Sequence, residues 1–303
     1  MWRKIAFRFG RAARRELAGF SLSFIAAVLV IVLTLAITVF ISWKGLSVFF
    51  VHHVSLANIF SLDWWPDRPP EQGGPQVGIL TFLVGSILTS VLAALLSAPL
   101  GITVAVFMTE ISPHLGQRVL QPVIELLAGI PSVVYGYIGL SVLVPFIREH
   151  LGGTGFSLLA GVLVLAVMIL PTIATVSTDA LRALPGSLKE AAYALGATRW
   201  QAIRLVLIPA ARAGLLTAVV LALARAFGEA LAVQMVIGNK REIPHSILDP
   251  LITLTSGITM DMGYTVQGSL WNDTLWFMAT ILLAISFLFI FTIRVVIGRG
   301  MVR

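Results

Sequence analysis

The sequence has no cysteine and little charge. Zero cysteines among 303 residues exclude disulfides, thiolate metal sites and cysteine nucleophiles. Charged residues make up 12% of the chain, about half of the roughly 25% usual in soluble domains. Hydrophobic residues make up 58%, and mean hydropathy is +0.96. So few charges cannot coat a soluble surface, so the composition predicts an integral membrane protein. Catalytic motifs are scarce too. The sequence contains no G-x-x-x-x-G-K-[ST], no G-x-S-x-G and no H-E-x-x-H, which disfavours ATP binding by a P-loop and an enzyme acting alone. The five histidines, including the His52-His53 pair, show no metal-ligand spacing.

What is present is a set of apolar runs near the roughly 20 residues a bilayer crossing needs. Six are read: 20–41, 78–107, 119–147, 156–176, 214–237 and 275–297. They predict an all-α polytopic bundle, with a basic tail over 1–19, a six-helix transmembrane domain over 20–297 and a short tail over 298–303. Pro99-Leu100-Gly101 and Gly129-Ile130-Pro131 should kink or tilt the second and third spans. Fifteen of the 21 Lys and Arg residues fall on the side of the two termini and the 179–213 loop, and five on the other. By the positive-inside rule the termini and that loop are cytoplasmic. The +7 net charge is therefore a topology signal and no argument for nucleic acid. Arg14-Arg15 precede the first run like a leader, but no small-residue cleavage site follows, so a retained anchor is expected. On the external side, Trp64-Trp65 should sit at the interface. Leu248, Leu251, Ile252 and Leu254 should form a short amphipathic helix lying on the membrane or under a partner.

The 185–213 stretch is the most structured part outside the spans. Ser187-Leu-Lys-Glu190 is an S-x-x-E capping box, predicting a helix with Ser187 as N-cap. Leu188, Ala191, Ala192 and Leu195 share one apolar face, and Gly196 is placed to end the helix in the left-handed region. Thr198-Arg-Trp-Gln201 is a second box, with Trp200, Ile203 and Leu207 on an apolar face and Pro209 ending the helix. Two short amphipathic helices joined at a glycine can rest on the inner leaflet or dock a cytoplasmic partner. Tethering by spans at both ends disfavours a DNA-reading role.

Inside the spans, Arg225 stands out. Read as 11 residues into its run, it lies about 16 Å deep, where an isolated charge costs on the order of 2.5–3.5 kcal/mol. Glu229 follows at i+4 and is expected on the same helix face. The pair is either a structural salt bridge or part of a translocation path in which Arg225 serves an anion. Glu125, Gly129, Pro131 and Tyr135 mark a candidate gate or kink, although Glu125 by itself reads first as an interfacial acid facing water or pairing with a loop arginine.

Glu190-Ala191-Ala192, Gly196, Val206, Ile208 and Pro209 together resemble the EAA loop of ABC importer permeases, EAA-x3-G-x9-I-x-L-P, with Val206 and Ile208 as conservative departures. That resemblance implies a type I importer permease fold, in which the first short helix, including Ser187 and Glu190, inserts into a groove on a separate ATPase subunit. ATP would be bound and hydrolysed on partners, with no cofactor on this chain. Glu125 to Gly136, Arg225-Ala-Phe-Gly-Glu229 and Asp249 to Thr255 further resemble the PstC-type permease of the phosphate importer. This implies phosphate as substrate, with Arg225 and Glu229 in its passage. The implied partners are a second, PstA-type permease, two ATPase subunits and an external phosphate-binding protein, in the cell membrane. The competing expectations are a permease for another oxyanion such as sulfate or molybdate, a secondary transporter using Arg225 and Glu229 as a relay, and a structural membrane scaffold.

Overall fold

The computed structural model describes residues 2–300, with side chains described for 20–295. The tails set apart in the sequence, 1–19 and 298–303, lie outside the residues whose side chains are described. The described chain is almost wholly helical. Its main helices are α1 (Trp2–Phe50), α2 (Leu80–Val106), α3 (Gln121–Gly129), α4 (Ser132–Ile138), α5 (Val144–His150), α6 (Leu158–Arg182), α7 (Gly186–Ala194), α8 (Ile208–Phe227), α9 (Leu231–Gln234), α10 (Leu254–Asp261) and α11 (Leu270–Gly300). Six helical segments are long and apolar enough to cross a membrane: Phe20–Phe50, Leu80–Ile111, Ser132–His150, Leu158–Arg182, Arg199–Phe227 and Leu270–Val295.

The centre of the bundle is the trio α2, α6 and α8. Lipid tails are as apolar as leucine, so burial alone cannot hold these helices together; close backbone approach and interhelical hydrogen bonds must. The residues on the contact face are accordingly small. A Cβ on Gly101 would stand 2.9 Å from the Ile173 Cβ, and the Ser97 hydroxyl donates to the Ala166 carbonyl at 2.7 Å. Ala93, Ala218 and Ala222 are fully buried in the same cluster. At the periphery α1 packs along α11, with Phe40 on Trp276 and Phe49 on Phe277 in edge-to-face pairs. Residues 20–36 of α1 are exposed throughout, as a lipid-facing helix should be.

A cap closes one end. Trp64 and Trp65 pair with Val77 and Gln76 in a two-residue antiparallel hairpin. Only Trp65 is exposed; Trp64 is buried edge-on against Phe82, with ring centroids 4.8 Å apart. The 238–254 segment also departs from expectation. Leu251, Ile252 and Leu254 are fully buried, and the helix begins only at Leu254. Gly238 bridges Leu251, and the Leu158 and Leu159 amides donate to the carbonyls of Asp249 and Ile247. The segment thus supplies acceptors to the free amides at the start of α6. It is an inward plug, not a surface helix.

Candidate functional site

Two spans break, the third where the sequence predicts a kink and the fifth where it predicts continuity. The third span is interrupted, not merely kinked. After α3, Ile130 and Pro131 adopt extended ψ values of 128° and 142° before α4 starts. The residue before a proline is steered out of the helical region, and here the helix ends outright. Tyr135 is buried, and its hydroxyl donates to the Leu127 carbonyl at 2.7 Å. It adds a second donor to a carbonyl that otherwise accepts only a long bond from the Ile130 amide, and ties the two halves together. Gly129 faces open space, with nothing within 4 Å of a would-be Cβ. Gly136 instead abuts Ala232, its would-be Cβ 2.9 Å from the Ala232 Cα. The broken half α4 therefore lies directly on α9.

The fifth span ends at Phe227, ten residues before the expected end. Gly228 and Glu229 form a turn, with their amides bonded to the carbonyls of Arg225 and Ala226. This overturns the placement of Arg225 and Glu229 on one continuous helix face. Arg225 lies in the last turn of α8, where the carbonyl end of a helix favours a cation. Glu229 lies beyond it and accepts from the Ala232 amide at 3.3 Å, stabilising the first turn of α9. The two do not pair with each other. Arg225 is exposed and donates to the Thr172 hydroxyl at 3.0 Å; it is also close enough to act electrostatically on the Tyr135 phenol. The Glu229 carbonyl accepts from the Thr255 hydroxyl at 2.7 Å. Beside the Glu229 carboxylate, Ser86, Thr89, Ser90, Thr253 and Thr255 line a void of about 10 Å³. Sequence reading missed this hydroxyl lining, although the density of hydroxyls in 253–256 was its trace. Glu125 is exposed, accepts from Gln121 at 3.0 Å and shares a cleft of about 60 Å³ with Asp179 and Arg182. Among the described residues it forms no ion pair.

The residues of the 185–213 loop form a compact unit. Helix α7 begins at Gly186 with Pro185 as its N-cap and no side-chain cap bond. Ser187 is thus inside the first turn, and the expected S-x-x-E box does not form; Pro185, with fixed φ, starts the helix two residues earlier. The other end follows the sequence closely. Gly196 has φ +81°, its amide bonds the Tyr193 carbonyl, and the Ala197 amide bonds the Ala192 carbonyl. These two bonds are a Schellman closure. Thr198 and Gln201 then form a full capping box. Pro209 does not end the second helix. Residues 202–207 widen into a π turn and the helix runs on from Arg199 to Phe227, because a π turn accommodates the missing proline N–H. The expected apolar faces are split. Ala192, Ile203 and Leu207 are buried, while Glu190, Ala191, Tyr193, Leu195 and Trp200 are exposed, Leu195 at 89%. Two further bonds that the sequence did not announce anchor the loop: Lys189 to Glu110, and Arg199 to the Ile111 carbonyl.

These features describe a helical bundle of membrane-crossing length with broken spans, a buried plug and a capped loop carrying bare apolar side chains. Residues 98–303 match the family model described as binding-protein-dependent transport system inner membrane component, and the chain belongs to that family. It is 57% identical over 275 residues to the probable ABC transporter permease protein YqgH of Bacillus subtilis strain 168, covering 90% of this chain and 88% of that protein. It is 36% identical over 297 residues to the phosphate transport system permease protein PstC of Mesorhizobium japonicum, covering 90% and 87%. The fold resembles the inward-facing MetNI methionine ABC transporter, with a TM-score of 0.54 and 24% identity over 71% of this chain and 92% of that one. It also resembles an amino acid ABC transporter, with a TM-score of 0.54 and 20% identity over 73% and 93%. The chain is therefore an ABC importer permease with a type I fold and a multi-pass membrane protein.

Proposed function

We propose that this permease moves inorganic phosphate inward, with Arg225 as the cation that receives the anion along the path. The observation that carries this reading is the state of Arg225: an exposed guanidinium at a helix end, held by one neutral hydroxyl and by no carboxylate. A guanidinium so placed keeps donors free for a tetrahedral oxyanion. Relatives named as phosphate permeases support the choice of anion. Glu229, beside a hydroxyl-lined void, stands at the break where the path can open. Tyr135, Gly129, Pro131 and Glu125 form the facing break, the candidate gate.

The same reading assigns the exposed side of α7 and Trp200 to an ATPase subunit, with Ser187, Glu190, Ala191, Ala192, Gly196 and Pro209 shaping the contact. Leu195, Tyr193 and Trp200 are large apolar side chains left bare on a rigid unit, which marks an interaction site. Both termini and the 179–213 loop then face the cytoplasm, as the basic residues require. A second, PstA-type permease would complete the path, with two ATPase copies below. An external phosphate-binding protein would dock over the cap, where Trp65, Arg241, Glu242 and His245 line a hollow of about 630 Å³. The deciding experiment is ATP-driven uptake of radiolabelled phosphate into proteoliposomes holding all partners, competed by sulfate and molybdate. Phosphate uptake that excess sulfate leaves intact is expected; equal competition by sulfate would move the assignment to a general oxyanion permease.

A further inference from the structure

Glu110, one of the two anchors of the loop, is a buried carboxylate with only 9% of its surface exposed. It belongs to the π turn Phe107–Ile111 that ends the second span. The Lys189 ammonium, from the middle of α7, lies 2.6 Å from its Oε2. One residue further along the same turn, the Ile111 carbonyl accepts from the Arg199 guanidinium at 2.7 Å. The loop therefore grips two consecutive residues of one turn, from positions on either side of its glycine closure.

Side-chain packing does not fill this junction. Met108, Gln117, Pro185, Gly186 and Lys189 border a cavity of about 250 Å³ between the turn and the start of α7. Beside the cavity an apolar cluster that includes Val106, Ile203 and Leu207 joins the end of α2 to the second helix of the loop; the polar bond from Lys189 is what ties the turn to α7 itself. What lies beyond the turn gives the connection a direction. Gly116 presses on Met108, its would-be Cβ 2.7 Å from the Met108 Cα, so 113–120 must follow the turn. That stretch leads straight into α3, and α3 into the break at Ile130-Pro131. Across the break Tyr135 holds the Leu127 carbonyl, and Tyr135 lies within electrostatic reach of Arg225. A continuous run of bonds and close contacts leads from α7 to the break.

We propose that Glu110 and Lys189 are a positioning pair that transmits displacement of α7 into the 107–138 segment. The pair makes the gate at Ile130-Pro131 follow the ATPase. It rests on the reading of α7 as the ATPase contact. An ordinary solvent-exposed ion pair contributes little to folding, so a merely decorative pair predicts no change in transport. A transmitting pair predicts hydrolysis that continues without transport.

The test uses the complete transporter in proteoliposomes, with ATP hydrolysis, phosphate uptake and copurification of the ATPase subunits measured together. Glu110→Lys and Lys189→Glu should each cut the phosphate moved per ATP hydrolysed by about tenfold, a typical coupling magnitude, while the ATPase subunits still copurify. Combining the two reversals should restore the ratio to within about twofold of the parent, because the pair is re-formed with its charges exchanged. Where a reversal impairs assembly, Glu110→Gln, which keeps size and hydrogen bonding, should still lower the ratio about threefold. Because the chain has no cysteine, Val134→Cys on α4 gives a second readout that needs no anion. Its rate of maleimide labelling should respond to ATP in the parent and not in the single reversals. An unchanged ratio in the single variants, or a double reversal no better than either single, would overturn the proposal. Failure of the underlying reading looks different: Glu190→Lys would then leave ATPase copurification intact.

Discussion

The 186–201 loop and the 225–231 break are both helix interruptions at a glycine, and they are built in opposite ways. The loop satisfies its backbone locally. Gly196 closes α7 through two carbonyls, and Thr198 with Gln201 opens the next helix by a reciprocal box. Each of these backbone partners lies within six residues. The break adds ties from a distance to its own turn bonds. Arg225 reaches Thr172 on α6, and the Glu229 carbonyl takes the Thr255 hydroxyl from α10. A locally closed unit can move as a rigid body against a partner. A unit held by other helices changes when those helices move. Force transmission suits the first and gating suits the second.

The sharpest way to separate the two is Arg225→Gln. It should abolish phosphate uptake, by about 100-fold or more if the cation is required for anion passage, with the complex fully assembled and its ATPase subunits in place. Glu190→Lys should act on the other region. It places a cation on the exposed face of α7 and should reduce both ATPase copurification and uptake by about tenfold, about 1.4 kcal/mol of contact energy. Gly196→Val forces a β-branched residue into a left-handed position at φ +81°. Strain of about 1–3 kcal/mol should loosen the loop, lowering uptake several-fold with insertion of the spans unchanged by protease mapping. The smallest effect belongs to Thr198→Ala, which removes one half of a capping box at about 1 kcal/mol. It should weaken ATPase retention by less than Gly196→Val; an equal or greater loss would mean that the second helix start, not the glycine closure, holds the loop rigid.

The same contrast explains what the sequence disclosed. Six spans were countable because length and hydropathy are local quantities. Gly196 and the Thr198 box were legible because capping depends on neighbours a few residues away. Ser187 was misplaced because Pro185 competes for the same helix start, and fixed φ won over the S-x-x-E pattern. Pro209 read as a terminator, but a π turn upstream absorbs its missing donor. The break at Phe227 was illegible because Ala230 to Ile237 are apolar apart from Gln234 and no proline marks the helix end. There α9 is held by packing on α4 through Gly136 and by hydroxyls from 253–256, contacts 26 or more residues away in the chain for Thr255. Glu110 and Lys189 are 79 positions apart, and no spacing rule connects them. Arg225 stood out as a charge among apolar residues, but its pairing with Glu229 assumed a helix that had already ended.

The most direct test of this division measures uptake, ATP hydrolysis and ATPase copurification in the same proteoliposomes for Arg225→Gln and Glu190→Lys. The account predicts that Arg225→Gln keeps its ATPase subunits and loses phosphate uptake, whereas Glu190→Lys loses the subunits and uptake together. Normal phosphate uptake by Arg225→Gln, or full ATPase retention by Glu190→Lys, would contradict it.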